Sequence, residues 1–459
     1  MARPATLSER LAAWSSSLDW TAVPPAQRAL IGLRALDTIG LILAGYETEA
    51  AKAVLALALD QGGKPECALF LTGARGPAAQ AALAHGTIAH GRDFDDTFLD
   101  SVVHPGSTVI ATALAIGEAV AAPDEAIAAA IAIGYEAAAR LGAVAGRRFH
   151  ARGFHATGVV GPLSAALTAA RLYRLSAEAT ADALGLAASM SGGLMAFIDD
   201  GAWSKWLHVG WSAHGGILAA QLAQRGFRGP RGALDGRHNL FAAFLGEPEC
   251  GGDTVCADLG RVWRGGEAHF KYYPCAHVIQ PYLDAAIALR ARHGLAPGAI
   301  ARVTCAIAPW AVPIVCEPRP PKLSPATDMD AIASLPYLVA VALADGKVDL
   351  DALAPTMRTR TDLLALAARV EHRSDSSLGQ GFDGAMTIER QDGEILTARV
   401  GSAPPDAGKL RSKFRANARR QADAATTRAL EKAILDEPLP KFSRVAGILG
   451  TMPGVAAPA

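Results

Sequence analysis

Net charge is the first thing this chain lacks: 44 Lys and Arg balance 44 Asp and Glu across 459 residues. Without a basic excess there is no electrostatic footprint for nucleic acid or an anionic membrane surface, and composition points to a small-molecule partner. Metal-cluster spacings are missing too. Cys67, Cys250, Cys256, Cys275, Cys305 and Cys316 form no CxxC pair and match no zinc or iron–sulfur pattern, so they read as reduced packing residues. There is no GxSxG, HExxH or GxxxxGK[ST], which leaves hydrolase elbows, zincins and P-loops unsupported. The segment MARPATLSERLAAW has no basic-then-apolar signal pattern, and charged residues interrupt most apolar runs before they could span a bilayer. The longest exception, Trp206 to Gln224, carries His208, His214, two glutamines and three glycines and reads as a buried helix. A soluble, cytoplasmic protein is expected.

What is present is a concentrated polar stretch inside a chain that is 51% hydrophobic. Residues Gly91 to Ser107, GRDFDDTFLDSVVHPGS, place Asp93, Asp95, Asp96 and Asp100 beside His104. Burying an ionised carboxylate costs several kcal/mol unless cations, metals or hydrogen-bond donors compensate, so a buried loop of this kind demands partners. An exposed turn would demand none. The flanks decide for burial: AALAHGTIAH and TVIATALAIGEAV are small, apolar and helix-like.

Taken in order, the chain opens with an amphipathic helix, a second helix from Pro24-Pro25 to Gly45 and a third ending at Gly62-Gly63. CALFLTG has strand character. Pro77 starts a helix expected to bring His85 and His90 to the acidic loop, and further helices follow Pro105 and Pro123. Polar islands recur at GRRFHARGFHATG, at SGGLMAFIDDGAWSKWLHVG and at FKYYPCAHVIQPYLDA, each ahead of a helix. From IARVTCAIAP the texture changes to strands, a helix over Asp328 to Asp345, and a hairpin turning at Asp392-Gly393. KLRSKFRANARRQ and TTRALEKAILDE return to helix. All but one of the twelve histidines precede residue 300, which assigns the chemistry to the helical part and its edge.

Two motif matches fail on context. Asp93-Phe94-Asp95-Asp96-Thr97 fits DxDxT, but that phosphatase mechanism needs the tip of a buried strand and the preceding residues are helical in character. Gly379 to Gly384 fits GxGxxG, but a strand follows where a helix N-terminus is required. His104, His155, Lys205, His208, Lys271 and His277 remain, each where a Gly- or Pro-marked break meets a helix start. Two lysines and several histidines converging with a carboxylate suit a substrate that carries two or three carboxylates.

HGRDFDDT with HPGS, GFHATG, SKWLHVG and FKYYPCAHVIQPYLDA, in this order, resemble the MmgE/PrpD family, which includes 2-methylcitrate dehydratase, cis-aconitate decarboxylase and iminodisuccinate epimerase. The DGEI hairpin and the PPDAG-KLRSKF tail extend the resemblance over nearly the whole chain. It implies a mainly α protein: a large all-helical domain from both chain ends (residues 1–268 and 405–459) and a smaller α+β domain (269–404). It also implies a homodimer and catalysis with no metal and no organic cofactor. Carried over by position, the pocket residues fall on Asp93, Thr97, His104, His155, Lys205 and Lys271, with His277 close by. There are departures. The Thr97–His104 segment is one residue longer than in the decarboxylase pattern, Ala156 replaces a proline, Trp206 stands where arginine or proline is expected, and Gln280 replaces a frequent histidine.

The shared hard step in that chemistry is making or protonating a carbanion next to a carboxylate, which needs fixed positive charge away from water. The expected catalytic set is His104, exchanging the proton at carbon, Asp93, orienting it, Lys205, and His155. The expected substrate-binding set is Thr97, Lys271, His277 and His208. The leading expectation is a 2-methylcitrate dehydratase-like hydro-lyase, with cis-aconitate decarboxylation or dicarboxylate epimerisation as alternatives. A non-catalytic carboxylate-binding helical protein is the competing class.

Overall fold

The computed structural model describes residues 3–249, 251–401, 404–435 and 439–452; Cys250 and the expected helix end at Asp436-Glu437 lie outside them. The chain forms two compact units, one of Met1–Gly91, Asp95–Phe270 and Asp406–Ala459, the other of Arg92–Phe94 and Lys271–Pro405.

In the first unit α1 (Leu7–Ser17) starts at a reciprocal cap between Thr6 and Glu9, and α2 (Pro25–Gly45) starts at Pro25, whose missing N–H costs a first turn nothing. α3 (Glu49–Gln61) is capped by the Thr48 hydroxyl. The strand character of CALFLTG reduces to β1 (Cys67–Ala68), paired antiparallel with β2 (Arg75–Gly76). Then follow α4 (Ala78–His90), α5 (Gly106–Ala119), α6 (Asp124–Ala145), α7 (Ala156–Leu172), α8 (Ala177–Ser189) and α9 (Ser204–Gln224).

α9 packs against both α4 and α7, and small residues allow the approach. A β-carbon at Gly210 would collide with the Leu83 carbonyl, and one at Gly216 with Ala165. α9 is not buried all round, as its sequence suggests: its inner face is packed, while Leu207, Trp211 and Leu218 remain exposed. α6 is the single helix among the described residues long and apolar enough to cross a membrane, and 89% of its apolar window is packed inside the protein.

In the second unit α10 (Gln280–His293) ends at left-handed Gly294. β3 (Ile300–Ile307) is central in a mixed sheet. The helix expected over Asp328 to Asp345 is two: Asp328–Ile332, and α11 (Leu335–Asp345), where the Ser334 hydroxyl accepts from the Tyr337 N–H and Pro336 enters the first turn. β4 (Val370–Ser374) lies parallel to β3, and β5 (Gly384–Arg390) and β6 (Ile395–Val400) complete the order β4-β3-β5-β6 with antiparallel pairing. Gly393 takes a φ of 90° in the hairpin turn, a backbone region open to glycine.

The chain then returns to the first unit as α12 (Ala407–Ala418), α13 (Ala424–Ile434) and α14 (Phe442–Thr451), the last not anticipated from sequence. α12 lies on α2, fixed by Phe414 and by a buried Lys413–Asp37 ion pair at 2.6 Å. Burial pushes the Asp37 carboxyl up to about 6 despite Lys413.

Candidate active site

From Asp95 onwards the acidic loop belongs to the first unit, and its buried carboxylates Asp95 and Asp96 are compensated individually. Asp96 receives Arg34 Nη1 at 2.6 Å, the Tyr135 hydroxyl at 2.8 Å and the Gly106 N–H at 2.9 Å. The last of these comes from the first turn of α5, where a carboxylate satisfies helix donors that have no partner within the helix. Arg34 also donates to the Gly265 carbonyl and stacks over Tyr135 at 4.2 Å. Burial nevertheless raises the Asp96 carboxyl above its ordinary value. Thr97 exchanges backbone hydrogen bonds with His269, and left-handed Val102 turns the chain back towards His104. Asp100, by contrast, is exposed.

Asp95 is the hub. Both its oxygens lie 2.9 Å from His90 Nδ1, Oδ2 accepts from the Ser107 hydroxyl at 2.8 Å, and Oδ1 is 3.5 Å from His104 Nδ1. His104 Nδ1 also sits 3.1 Å from the Thr97 hydroxyl and 3.1 Å from the Asp96 carbonyl. With a carbonyl and a carboxylate facing Nδ1, that nitrogen carries the hydrogen and the neutral ring's lone pair is on Nε2. Within this unit Asp95 is a carboxylate set against His104 Nδ1.

The breaks before α7 and α9 bring more bases to the same cluster. His155 caps α7, its Nδ1 is 3.3 Å from His208 Nδ1, and its ring centroid is 5.9 Å from His90, 6.3 Å from His104 and 6.1 Å from His150. Lys205 and His208 lie in the first turns of α9, and the buried Lys205 ammonium is 6.0 Å from the Phe197 ring centroid. Trp206 is buried and stacks on Trp203. Burial, reinforced by neighbouring imidazoles and Lys205, holds His155 well below its usual range. His208 falls to about 4 through burial, His90 and Lys205, and His150 to about 4 through burial, Lys205 and Arg147. An anion entering the cluster would reverse that trend.

His85 does not join the loop. Its Nε2 accepts from the Phe70 N–H at 3.1 Å and its ring stacks on Phe70 at 4.0 Å, so burial lowers it to about 3 and its role is packing. His90, Asp95, Ser107 and His150 were within or beside the quoted motifs, yet nothing in their spacing gave them these roles.

In the second unit Lys271 donates to the Asp93 carboxylate at 2.8 Å and to its backbone carbonyl at 2.7 Å. Gln280 braces that segment: Oε1 accepts from the N–H groups of Tyr272 and Tyr273, and Nε2 donates to the Tyr273 carbonyl and Cys275 Sγ. Burial raises the Cys275 thiol, which makes it unreactive. His277 is buried with its ring edge-on to Phe382.

The histidines predict acid sensitivity. His85, His150, His155, His208, His214 and His269 all have lowered values, each with burial as the main cause. The unfolded chain takes up these protons below about 6.5 while the folded one resists until about 4 at His150 and His208, so this stability is present above 6.5 and lost as pH falls. Asp37 and Asp96, raised by burial, act in the opposite direction but are fewer. Each histidine contributes at most about 1.4 kcal/mol per pH unit. The thermal midpoint is expected to fall by ~5 °C or more from pH 7.5 to 5; a flat profile in scanning calorimetry would contradict these burial assignments.

The grouping of metal-binding type among the described residues includes His90, Asp95 and His104, whose candidate ligand atoms lie within 4.8 Å of one another. The Asp95 oxygens, however, already accept from His90 and Ser107, which makes the set a hydrogen-bonded network in this arrangement.

Comparison with known proteins agrees with the ordered motifs. The MmgE/PrpD N-terminal domain matches residues 9–252 and the MmgE/PrpD C-terminal domain residues 273–437. A cis-aconitate decarboxylase of Aspergillus terreus is 27% identical over 229 residues, 48% of this chain and 46% of that protein. The Homo sapiens cis-aconitate decarboxylase is 26% identical over 382 residues (78% of this chain, 76% of that protein), and the Mus musculus one 28% over 373 residues (74% and 72%). The chain thus spans about half the length of the Aspergillus relative and about three quarters of the mammalian ones. With both domain models matched in order along most of its length, the chain belongs to the MmgE/PrpD family.

Proposed function

We propose that this protein is a cofactor-independent lyase that moves a proton at a carbon next to a carboxylate of a small di- or tricarboxylate. The observation that carries the reading is the cluster of buried His104, His155 and Lys205 with half-buried His208, in which His104 is oriented through Nδ1 and the surrounding imidazoles are kept neutral until an anion arrives. Among substrates, cis-aconitate takes precedence over 2-methylcitrate because the relatives carry the name cis-aconitate decarboxylase. In that reaction the bond to the departing carboxylate breaks, its electron pair forms a new terminal alkene, and the displaced π pair becomes a carbanion next to another carboxylate. His104, after taking a proton from solvent onto Nε2, delivers that proton to the carbanion and returns to the neutral ring. Lys205 offsets the developing negative charge in a site screened from water.

The test is proton NMR of chelator-treated protein in deuterated water with cis-aconitate, 2-methylcitrate, citrate and iminodisuccinate supplied separately. Itaconate carrying one deuterium is expected from cis-aconitate. Vinylic signals from 2-methylcitrate instead would make the enzyme a dehydratase, and exchange without net conversion an epimerase. No change with any of them would withdraw the catalytic reading in favour of a carboxylate-binding protein.

The homodimer implied by family resemblance is also proposed, with a second copy covering the outer face of α9. Trp203, Leu207, Trp211 and Leu218 are exposed at helical spacing there, beside exposed Leu194 and Ile198. A patch of this kind on a monomer would be costly in solution. Light scattering after size exclusion should give twice the chain mass, and Trp211→Glu should halve it; a monomeric wild type would refute the assignment.

A further inference from the structure

We propose that His90 is an additional anion-binding group of this site, held by Asp95 so that its Nε2 is the atom offered to a ligand carboxylate. The inference deepens the carboxylate reading above and rests on it.

His90 ends α4 and has no exposed surface. Its Nδ1 lies 2.9 Å from both oxygens of Asp95, and Asp95 also accepts from the Ser107 hydroxyl. A carboxylate with no hydrogen of its own must accept, so Nδ1 of His90 is the donor and the ring's lone pair is on Nε2. That Nε2 is buried with no hydrogen-bond partner among the described residues. His155 Nε2 is in the same condition, and the two rings lie 5.9 Å apart at an interplanar angle of 27°. Two buried imidazole nitrogens of this kind, from different helices in one cluster, are the pattern left by a ligand that supplies the missing partner.

Asp95 also decides the ligand's sign. A proton taken from solvent onto Nε2 makes His90 an imidazolium balanced by the adjacent carboxylate, so the ring can donate N–H to an incoming carboxylate while the pair stays neutral overall. One proton enters with the anion, one N–H···O contact forms, and no covalent bond to carbon is made or broken. A metal ion is the other occupant this geometry would admit, since atoms of His90, Asp95 and His104 lie within 4.8 Å of one another.

The test uses tricarballylate, a saturated tricarboxylate with no double bond, in isothermal titration calorimetry run in buffers of different ionisation enthalpy. His90→Asn keeps a donor near the Nδ1 position and removes Nε2; His90→Gln places a neutral donor near Nε2. Wild type should take up protons on binding. His90→Asn should bind roughly tenfold or more weakly with about one proton fewer, and His90→Gln should recover part of the affinity but not the proton. Equal affinity and proton count in wild type and a folded His90→Asn would overturn the proposal while leaving the carboxylate reading intact. A wild type that binds no tricarboxylate would remove both. If His90→Asn does not fold, histidine-selective 15N NMR of wild type decides: the imidazole signal missing from His90→Gln should move from an unprotonated to a protonated Nε2 on adding tricarballylate, and an unmoved signal overturns the proposal. Stoichiometric zinc binding abolished in His90→Gln, with tricarballylate affinity unchanged, would replace the anion site with a metal site.

Discussion

Replacing His104 with alanine is expected to lower turnover by about two to four orders of magnitude, the usual contribution of a positioned general acid or base. The fold should survive. The backbone N–H of residue 104 donates to the Thr157 hydroxyl at 3.0 Å whatever the side chain, and Asp95 keeps His90 and Ser107 as donors when the ring is gone. The measurement is kcat and KM for the best substrate found by NMR, with circular dichroism melting beside it. A kcat loss with little change in KM places His104 at the proton-transfer step, because an interaction made only in the transition state lowers kcat and leaves ground-state binding alone. Full activity in a folded His104→Ala would sink the assignment.

Arg34→Met should destabilise the protein by about 3–5 kcal/mol, the largest stability effect expected from one substitution at this site. Arg34 and Asp96 are both about 2% exposed and 2.6 Å apart, so removing the cation leaves a carboxylate in the core with only the Tyr135 hydroxyl and the Gly106 N–H. The deficit has a pH signature. Asp96 is already raised by burial, and without Arg34 it rises further, so the loss should shrink as pH falls and the carboxyl becomes neutral. Urea titrations of wild type and variant at neutral and acidic pH would show it. Arg34→Met combined with Asp96→Leu should regain much of the loss, since a buried ion pair stabilises little over an apolar replacement of similar size. A variant as stable as wild type would mean that Asp96 is compensated by its neutral donors alone.

The sequence by itself determined the helical character of the first part, because apolar periodicity, Pro25, Pro77 and Pro123 at helix starts, and small-residue faces are local signals. It also determined the hairpin at Asp392-Gly393 and the order of polar islands by which the family is legible, and it required partners for the buried aspartates. Tertiary structure alone decided which partners these are. Arg34 meets Asp96 across 62 positions and Arg140 meets backbone carbonyls more than 100 positions away, distances over which no spacing rule operates. The same limit applies within one short motif, where only the packing of α4 and α5 against the loop aims Asp95 at His90, Ser107 and His104. His85 and His90 share one helix five residues apart, and so face different directions; packing sends one to Phe70 and the other to Asp95. Residue type and local pattern set what each segment can do, whereas the direction in which a buried polar atom points is fixed by the elements that close around it.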